Sequence, residues 1–253
     1  MLEPSPLCER FVLGVDVEKY SDRNVRRQLS IQRALDRILS QAAEAAGLDR
    51  GLWECEPGGD GELAVLPDGV DLIAIVRRFV DQVELHLADH NADHSPEMRM
   101  RLRLAMHVDT VARGALGRAG QALITLSRLL GSGPVREALA GAADANLALI
   151  VSESVYRKAV LSELGGLRPG QFHEVRVDLP AKRFDEMAYI YIPGHEGKPE
   201  KSSYIPASAP KPEERSRRPS AAGKSVLNIV SADTIHMPGS VFGFSEHGPN
   251  DDC

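Results

Sequence analysis

The chain has 253 residues, with 30 Lys+Arg against 36 Asp+Glu and a formal charge of −6. That acidic balance argues against bulk binding to nucleic acid or an anionic membrane, and no apolar run approaches the ~18–20 residues of a membrane span. Three cysteines (Cys8, Cys55 and Cys253) are too few and too scattered for a disulfide framework or a zinc site.

Residues 1–9 read as an N-terminal arm without the basic and apolar regions of a signal peptide, so the expected address is the bacterial cytosol. A single domain is expected over 10–193. Phe11–Val17 suits a buried strand. Asn24–Ala46 carries Leu29, Ile31, Ala34, Leu35, Ile38 and Leu39 at helical spacing, and Gly47 is a stop signal. Leu52–Glu56 and Glu62–Leu66 flank Pro57-Gly58-Gly59-Asp60-Gly61, which predicts a hairpin. Val70–Leu87 reads as a second helix, and Arg101–His107 alternates as a half-buried strand. Val111–Gly117 is too short and glycine-rich to assign. Gln121–Leu130 and Ser152–Leu161 read as helices; Leu147–Val151, His173–Val177 and Met187–Ile192 read as strands. The order predicts an α+β, ferredoxin-like antiparallel sheet with helices on one face. Residues 194–225, rich in Pro, Ser, Lys, Glu and Arg, read as a disordered linker, and 226–253 as a short β-prone motif.

Two carboxylates draw attention by position. Asp16 ends the first strand and Asp60 sits on the glycine-rich turn, and a sheet of this order lays that hairpin beside the first strand. Carboxylates so paired repel unless a cation lies between them, and hard oxygen ligands favour Mg²⁺ or Mn²⁺. Taken singly, Asp60 is also a turn former and Asp16 a strand end. His86, His90 and His94 read as a polar helix end and loop rather than a metal cluster, and Cys55 as a small buried strand residue.

Together these features resemble the class III nucleotide cyclases, in a divergent, actinobacterial-type form. The resemblance rests on Asp16 followed by Tyr20-Ser21, on Gly59-Asp60-Gly61, on Leu102-Arg103-Leu104-Ala105-Met106-His107, and on Gly120–Leu129 with its Ser127-Arg128-Leu129 end. It implies two metal ions per site, Mg²⁺ or Mn²⁺, held by Asp16, Asp60 and the backbone carbonyl of Val17. It implies Arg128, supplied by the partner chain of a homodimer, at the α-phosphate, Lys182 on the triphosphate, and Glu56 reading the base. The implied reaction converts a nucleoside triphosphate to a 3′,5′-cyclic nucleotide and pyrophosphate, for signalling, with antiphage defence as a further setting. Two positions depart from the family: Ile124 stands where an asparagine is expected, and Gly117 leaves Glu56 without its partner in base reading. The alternative is therefore a catalytically weak nucleotide-binding or protein-interaction module recruited through its tail. That tail, with Val226–Ser231 and Ser240–Ser245, weakly resembles the short C-terminal motifs of actinobacterial conflict proteins, which implies a protein partner for 226–253; neither nucleic acid nor membrane is expected. Deleting Val226–Cys253 is expected to leave the domain's melting temperature nearly unchanged in a thermal scan; a large drop would mean that the tail packs on the domain.

Overall fold

In the computed structural model, which describes residues 7–114 and 117–195, Asn24 sets the start of the first helix: its Oδ1 accepts from the Arg27 N–H at 3.0 Å. Helix α1 (Val25–Ala45) follows, and the chain leaves it through Gly47 at φ +76°. Strand β1 (Cys8–Val17) precedes it; β2 (Glu54–Pro57) and β3 (Gly61–Val65) form the expected hairpin. A π-helical turn, Ala74–Phe79, leads into α2 (Val80–Asp93), and β4 (Leu102–Gly114) turns into the short β5 (Gly117–Ala119). Then come α3 (Gln121–Leu130), α4 (Gly133–Gly141), β6 (Leu147–Ser152), α5 (Glu153–Lys158), β7 (His173–Leu179) and β8 (Phe184–Tyr191).

The strands lie in the order β2-β3-β1-β4-β6-β8-β7, with β5 pairing β4, so the chain is a mixed α+β domain around one sheet. All pairings are antiparallel except β4 with β6. Alternation along β1 divides two cores. Phe11, Leu13, Val15 and Val17 face α1 and α2, meeting Ile31, Leu35, Ile38, Phe79, Val83 and Leu87. Val12 faces the other way, where Leu126, Leu129 and Leu130 of α3 and Val135 and Leu139 of α4 cover the sheet.

This is the expected α+β domain around one sheet, with two differences of detail from an antiparallel sheet that carries its helices on one face. One device accounts for both differences: β4 and β6 run parallel, a parallel pair needs a crossover, and the crossover carries α3 and α4 over the second face. Three smaller points follow from packing. The segment 111–117, unassigned from sequence, carries the end of β4 and the start of β5, residues 115–116 lying outside the described set. Helix α2 runs to Asp93, so His86 and His90 are helical. Cys55 is exposed, not buried, because β2 is the outer strand beside β3. The predicted linker and tail, 194–225 and 226–253, lie outside the described residues apart from Gly194 and His195.

Helix α2 is fastened to the sheet through polar groups. The buried Asn91 side chain donates to the Met100 carbonyl at 2.7 Å and to Asn146 Oδ1 at 2.8 Å, and accepts from the Met100 N–H at 2.8 Å. His90 is buried beside it, its Nε2 3.2 Å from the Met98 carbonyl oxygen and its ring stacked on His94. His107 on β4 is buried too, its Nδ1 3.4 Å from Ser154 Oγ. Burial pushes both imidazoles below their usual range. The unfolded chain takes up protons near the ordinary imidazole value of about 6.5 before the folded chain does, so stability is present above that pH and is lost as pH falls through it. The melting temperature is expected to fall between pH 7 and pH 5, less steeply in His107→Asn; equal slopes in the two proteins would show that His107 is not held neutral.

Candidate functional site

The β2–β3 hairpin closes on the end of β1 to a degree only glycine permits. Asp16 pairs in register with Gly61, and a Cβ added at Gly61 would stand 1.8 Å from the Val15 carbonyl oxygen. The Val17 N–H donates to the Asp60 carbonyl at 2.8 Å. A residue in a strand turns its N–H and C=O to the same edge, so the Val17 carbonyl also faces this turn. From the other side, Gln32 of α1 donates to the Gly59 carbonyl at 2.7 Å and to the Tyr20 hydroxyl at 2.9 Å. The turn carrying Asp60 is thereby held against Asp16 from two directions.

Asp16 also has a partner that the sequence did not announce. Arg103, opposite it on β4, donates from Nε at 2.6 Å and from Nη2 at 2.8 Å, a two-point pair with both side chains largely covered. Burial pushes the Asp16 carboxyl up and the charge of Asp60 adds to that, while Arg103 and the α4 residue Arg136 act the other way. Asp60 likewise helps raise the Tyr20 phenol, whose main cause is burial. Among the described residues no group of three or more His, Cys, Asp or Glu side chains is placed to hold a metal, so the histidines of α2 form no such cluster.

A second patch lies elsewhere on the sheet. Leu123, Ile124, Ser127, Arg128 and Lys182 line an open depression of about 400 Å³. Arg128 lies 5.2 Å over the ring of Phe184, at the start of β8, and Lys182 ends the 3₁₀ turn just before it. Ile124 is 42% exposed there rather than packed into the core. The structure thus brings Arg128 and Lys182 together. Phe184, on which Arg128 rests, belongs to β8, three places from β1 in the sheet, about 14 Å at ordinary strand spacing. Glu56 sits exposed on β2, opposite Leu63 of β3.

A scan of the sequence against family models gives no match, and neither does a search among curated proteins. Comparison of folds gives a clear result. The structure matches an adenylate/guanylate cyclase/hydrolase from Silicibacter pomeroyi with TM-score 0.55 at 16% identity, over 76% of this chain and 100% of that one. This is the fold of the adenylyl and guanylyl cyclase domains. The guanylyl cyclase Cya2 matches with TM-score 0.52 at 13% identity, over 78% of this chain and 98% of that one. A bacterial light-regulated adenylyl cyclase matches with TM-score 0.51 at 15% identity, over 75% of this chain and 53% of that one. The cyclase fold spans the described domain, which is where Asp16, Asp60, Arg128 and Lys182 all lie.

The contact at Gly61 generates a test. Gly61→Ala is expected to cost about 1–3 kcal/mol of stability, as for overpacking, because the new methyl meets backbone rather than a yielding side chain. Chemical denaturation checks it; a variant as stable as the parent would mean that the hairpin stands further from β1.

Proposed function

We propose that this chain is a nucleotide cyclase that converts a nucleoside triphosphate to a 3′,5′-cyclic nucleotide and pyrophosphate. The observation that carries the reading is the turn carrying Asp60 locked onto the end of β1, where Asp16 pairs in register with Gly61 and feels the charge of Asp60, on a cyclase fold. The donor set fits divalent cations such as Mg²⁺ or Mn²⁺: two carboxylates and the Val17 carbonyl are hard oxygen ligands, and such ions complete their shells with water and substrate phosphate. The repulsion between Asp60 and Asp16 is what a cation relieves. Each Asp16 oxygen still has a lone pair beyond the one that faces Arg103.

In this reading Asp16, Val17 and Asp60 hold two metal ions, which supply charge neutralisation and help ionise the ribose 3′-hydroxyl. The 3′-oxygen then attacks the α-phosphorus, the hydroxyl proton is lost to solvent and pyrophosphate departs. Arg128 contributes positive charge at the α-phosphate and Lys182 binds the triphosphate as a point charge. Because the start of β8, where these two meet, lies apart from β1 in one chain, the complete site needs a second copy, and a homodimer supplies it. Glu56 accepts from the base edge. Signalling, with antiphage defence as a further setting and a protein partner for 226–253, remains the proposed context.

One observation favours the second reading, a weakly catalytic nucleotide-binding or interaction module. Ile124 turns toward the depression beside Arg128 and offers no hydrogen bond. Losing one donor at such a place commonly costs about 10²–10³ in rate.

Purified protein with Mn²⁺ and each of ATP, GTP, CTP and UTP, with products resolved by mass, tests the proposal. A cyclic product is expected from at least one nucleotide, reduced at least ~10²-fold in Asp16→Ala and in Asp60→Ala. If both variants bound metal and nucleotide as the parent does, the assignment of the two aspartates would be wrong.

A further inference from the structure

The corner between α3 and α4 carries polar groups that nothing in the fold uses. Its sequence is Gly131-Ser132-Gly133-Pro134-Val135-Arg136. Ser132 occupies the N-cap position of α4, where a hydroxyl ordinarily accepts from a first-turn N–H, yet it makes no such bond. Its side chain is fully buried, and among the described residues Oγ has no partner. A buried hydroxyl left this way costs free energy unless a ligand meets it. Arg136, in the first turn, is exposed; its backbone N–H donates to the Ser132 carbonyl at 3.4 Å, and its guanidinium makes no hydrogen bond or ion pair among the described residues. Its Nη2 lies 3.9 Å from where a Cβ of Gly131 would stand, so the guanidinium folds back over the corner instead of extending into solvent.

The corner is also beside the paired aspartates. Leu130 Cδ2, just before it, would be 3.1 Å from a Cβ at Gly14, and Gly14 shares a face of β1 with Asp16, two residues on. The charge of Arg136 acts on Asp16, which agrees with that placement. A free guanidinium, a spare hydroxyl and the N–H groups of Gly133 and Val135, Pro134 between them having none, together make a cradle for a tetrahedral oxyanion. One internal anion competes for it: Glu137 Oε1 lies 3.6 Å from the Cβ position of Gly133.

We propose that the Gly131–Arg136 corner is a phosphate-binding subsite, taking the terminal phosphates of a nucleoside triphosphate held at Asp16 and Asp60, with Ser132 and Arg136 as its donors. The assignment of those phosphates to a nucleotide rests on the cyclase reading; the affinity of the corner for phosphate does not. In the proposed homodimer the subsite comes from the chain that carries the aspartates, whereas the Arg128–Lys182 depression serves the site of the other copy.

Calorimetric titration of the full chain in Mn²⁺ tests this, with three probes: a non-hydrolysable α,β-methylene nucleoside triphosphate, the matching monophosphate, and inorganic pyrophosphate. Arg136→Ala is expected to weaken the triphosphate and pyrophosphate about tenfold, as for loss of one charged hydrogen bond, and to leave the monophosphate unchanged. Arg136→Lys should restore part of the loss. Glu137→Gln should tighten both polyphosphates, a change opposite in sign to any general damage to α4. If Arg136→Ala and Glu137→Gln bind the triphosphate as the parent does while Asp60→Ala loses it, the subsite is refuted and the metal site stands. If pyrophosphate binds through Arg136 but Asp60→Ala changes nothing, the subsite stands and the cyclase reading falls. A parent that binds neither polyphosphate overturns both.

Discussion

A Cβ at residue 61 would stand 1.8 Å from the Val15 carbonyl oxygen, so the β2–β3 hairpin lies as near to β1 as two backbones can come. From that approach the rest of the site follows. It sets Asp60 beside Asp16, lets the Val17 N–H reach the Asp60 carbonyl, and puts the turn within range of Gln32 on α1. A larger residue at 61 would move the acidic turn outward and dissolve the pairing of carboxylates without touching either one. The site is in this sense built by backbone, and its acidic side chains are only as close as the glycine allows.

The strand on the other side of β1 answers with opposite charge. Asp16 meets Arg103 in register, and one row further Glu18 meets Arg101, at 3.3 Å. The two arginines have different tasks. Arg101 gives most of its donors to the carbonyls of Leu139, Ala142 and Ala145, and so ties the end of α4 to the sheet. Among the described residues, Arg103 gives its donors to Asp16 alone. Removing Arg101 would loosen a helix, whereas removing Arg103 would leave a covered carboxylate without its counter-charge beside a second carboxylate. In a chain of acidic balance, basic residues are thus gathered near the end of β1, where a polyanion would need them.

Much of this was legible in the residues themselves. Asn24 before an apolar 3.6-residue period and Gly47 after it fixed α1 at both ends. Gly59-Asp60-Gly61 between two β-prone runs identified the hairpin, and the position of Asp16 followed from strand order. Four things were not legible, for definite reasons. Alternation in Arg101–His107 shows that Arg103 shares a face with Arg101, but not which residue of a strand 87 positions earlier stands opposite it. Helix α4 is short and opens with Gly-Ser-Gly-Pro, which reads as a break; only Pro134 near the helix start hints that a new helix begins there. The parallel pairing of β4 and β6 leaves no local mark, because direction is decided by what the crossover covers. His90, flanked by polar residues, reads as surface, and its burial comes from the packing of α2 against the strand that follows.

The register of β1 has a consequence for how the chain is made. The first strand is an inner one, and its two ends wait for different partners. Val12–Asp16 can pair with β3 once the hairpin has emerged, but Cys8–Arg10 find their register partners in Asp109–Val111. Roughly a hundred residues separate those partners, about 5–20 s of synthesis at ordinary bacterial rates. Throughout that interval one edge of β1, with an apolar face above it, has no strand to receive it. The nascent domain cannot close its sheet at that end until the second half of β4 leaves the ribosome, although the hairpin that meets Asp16 has by then long been made.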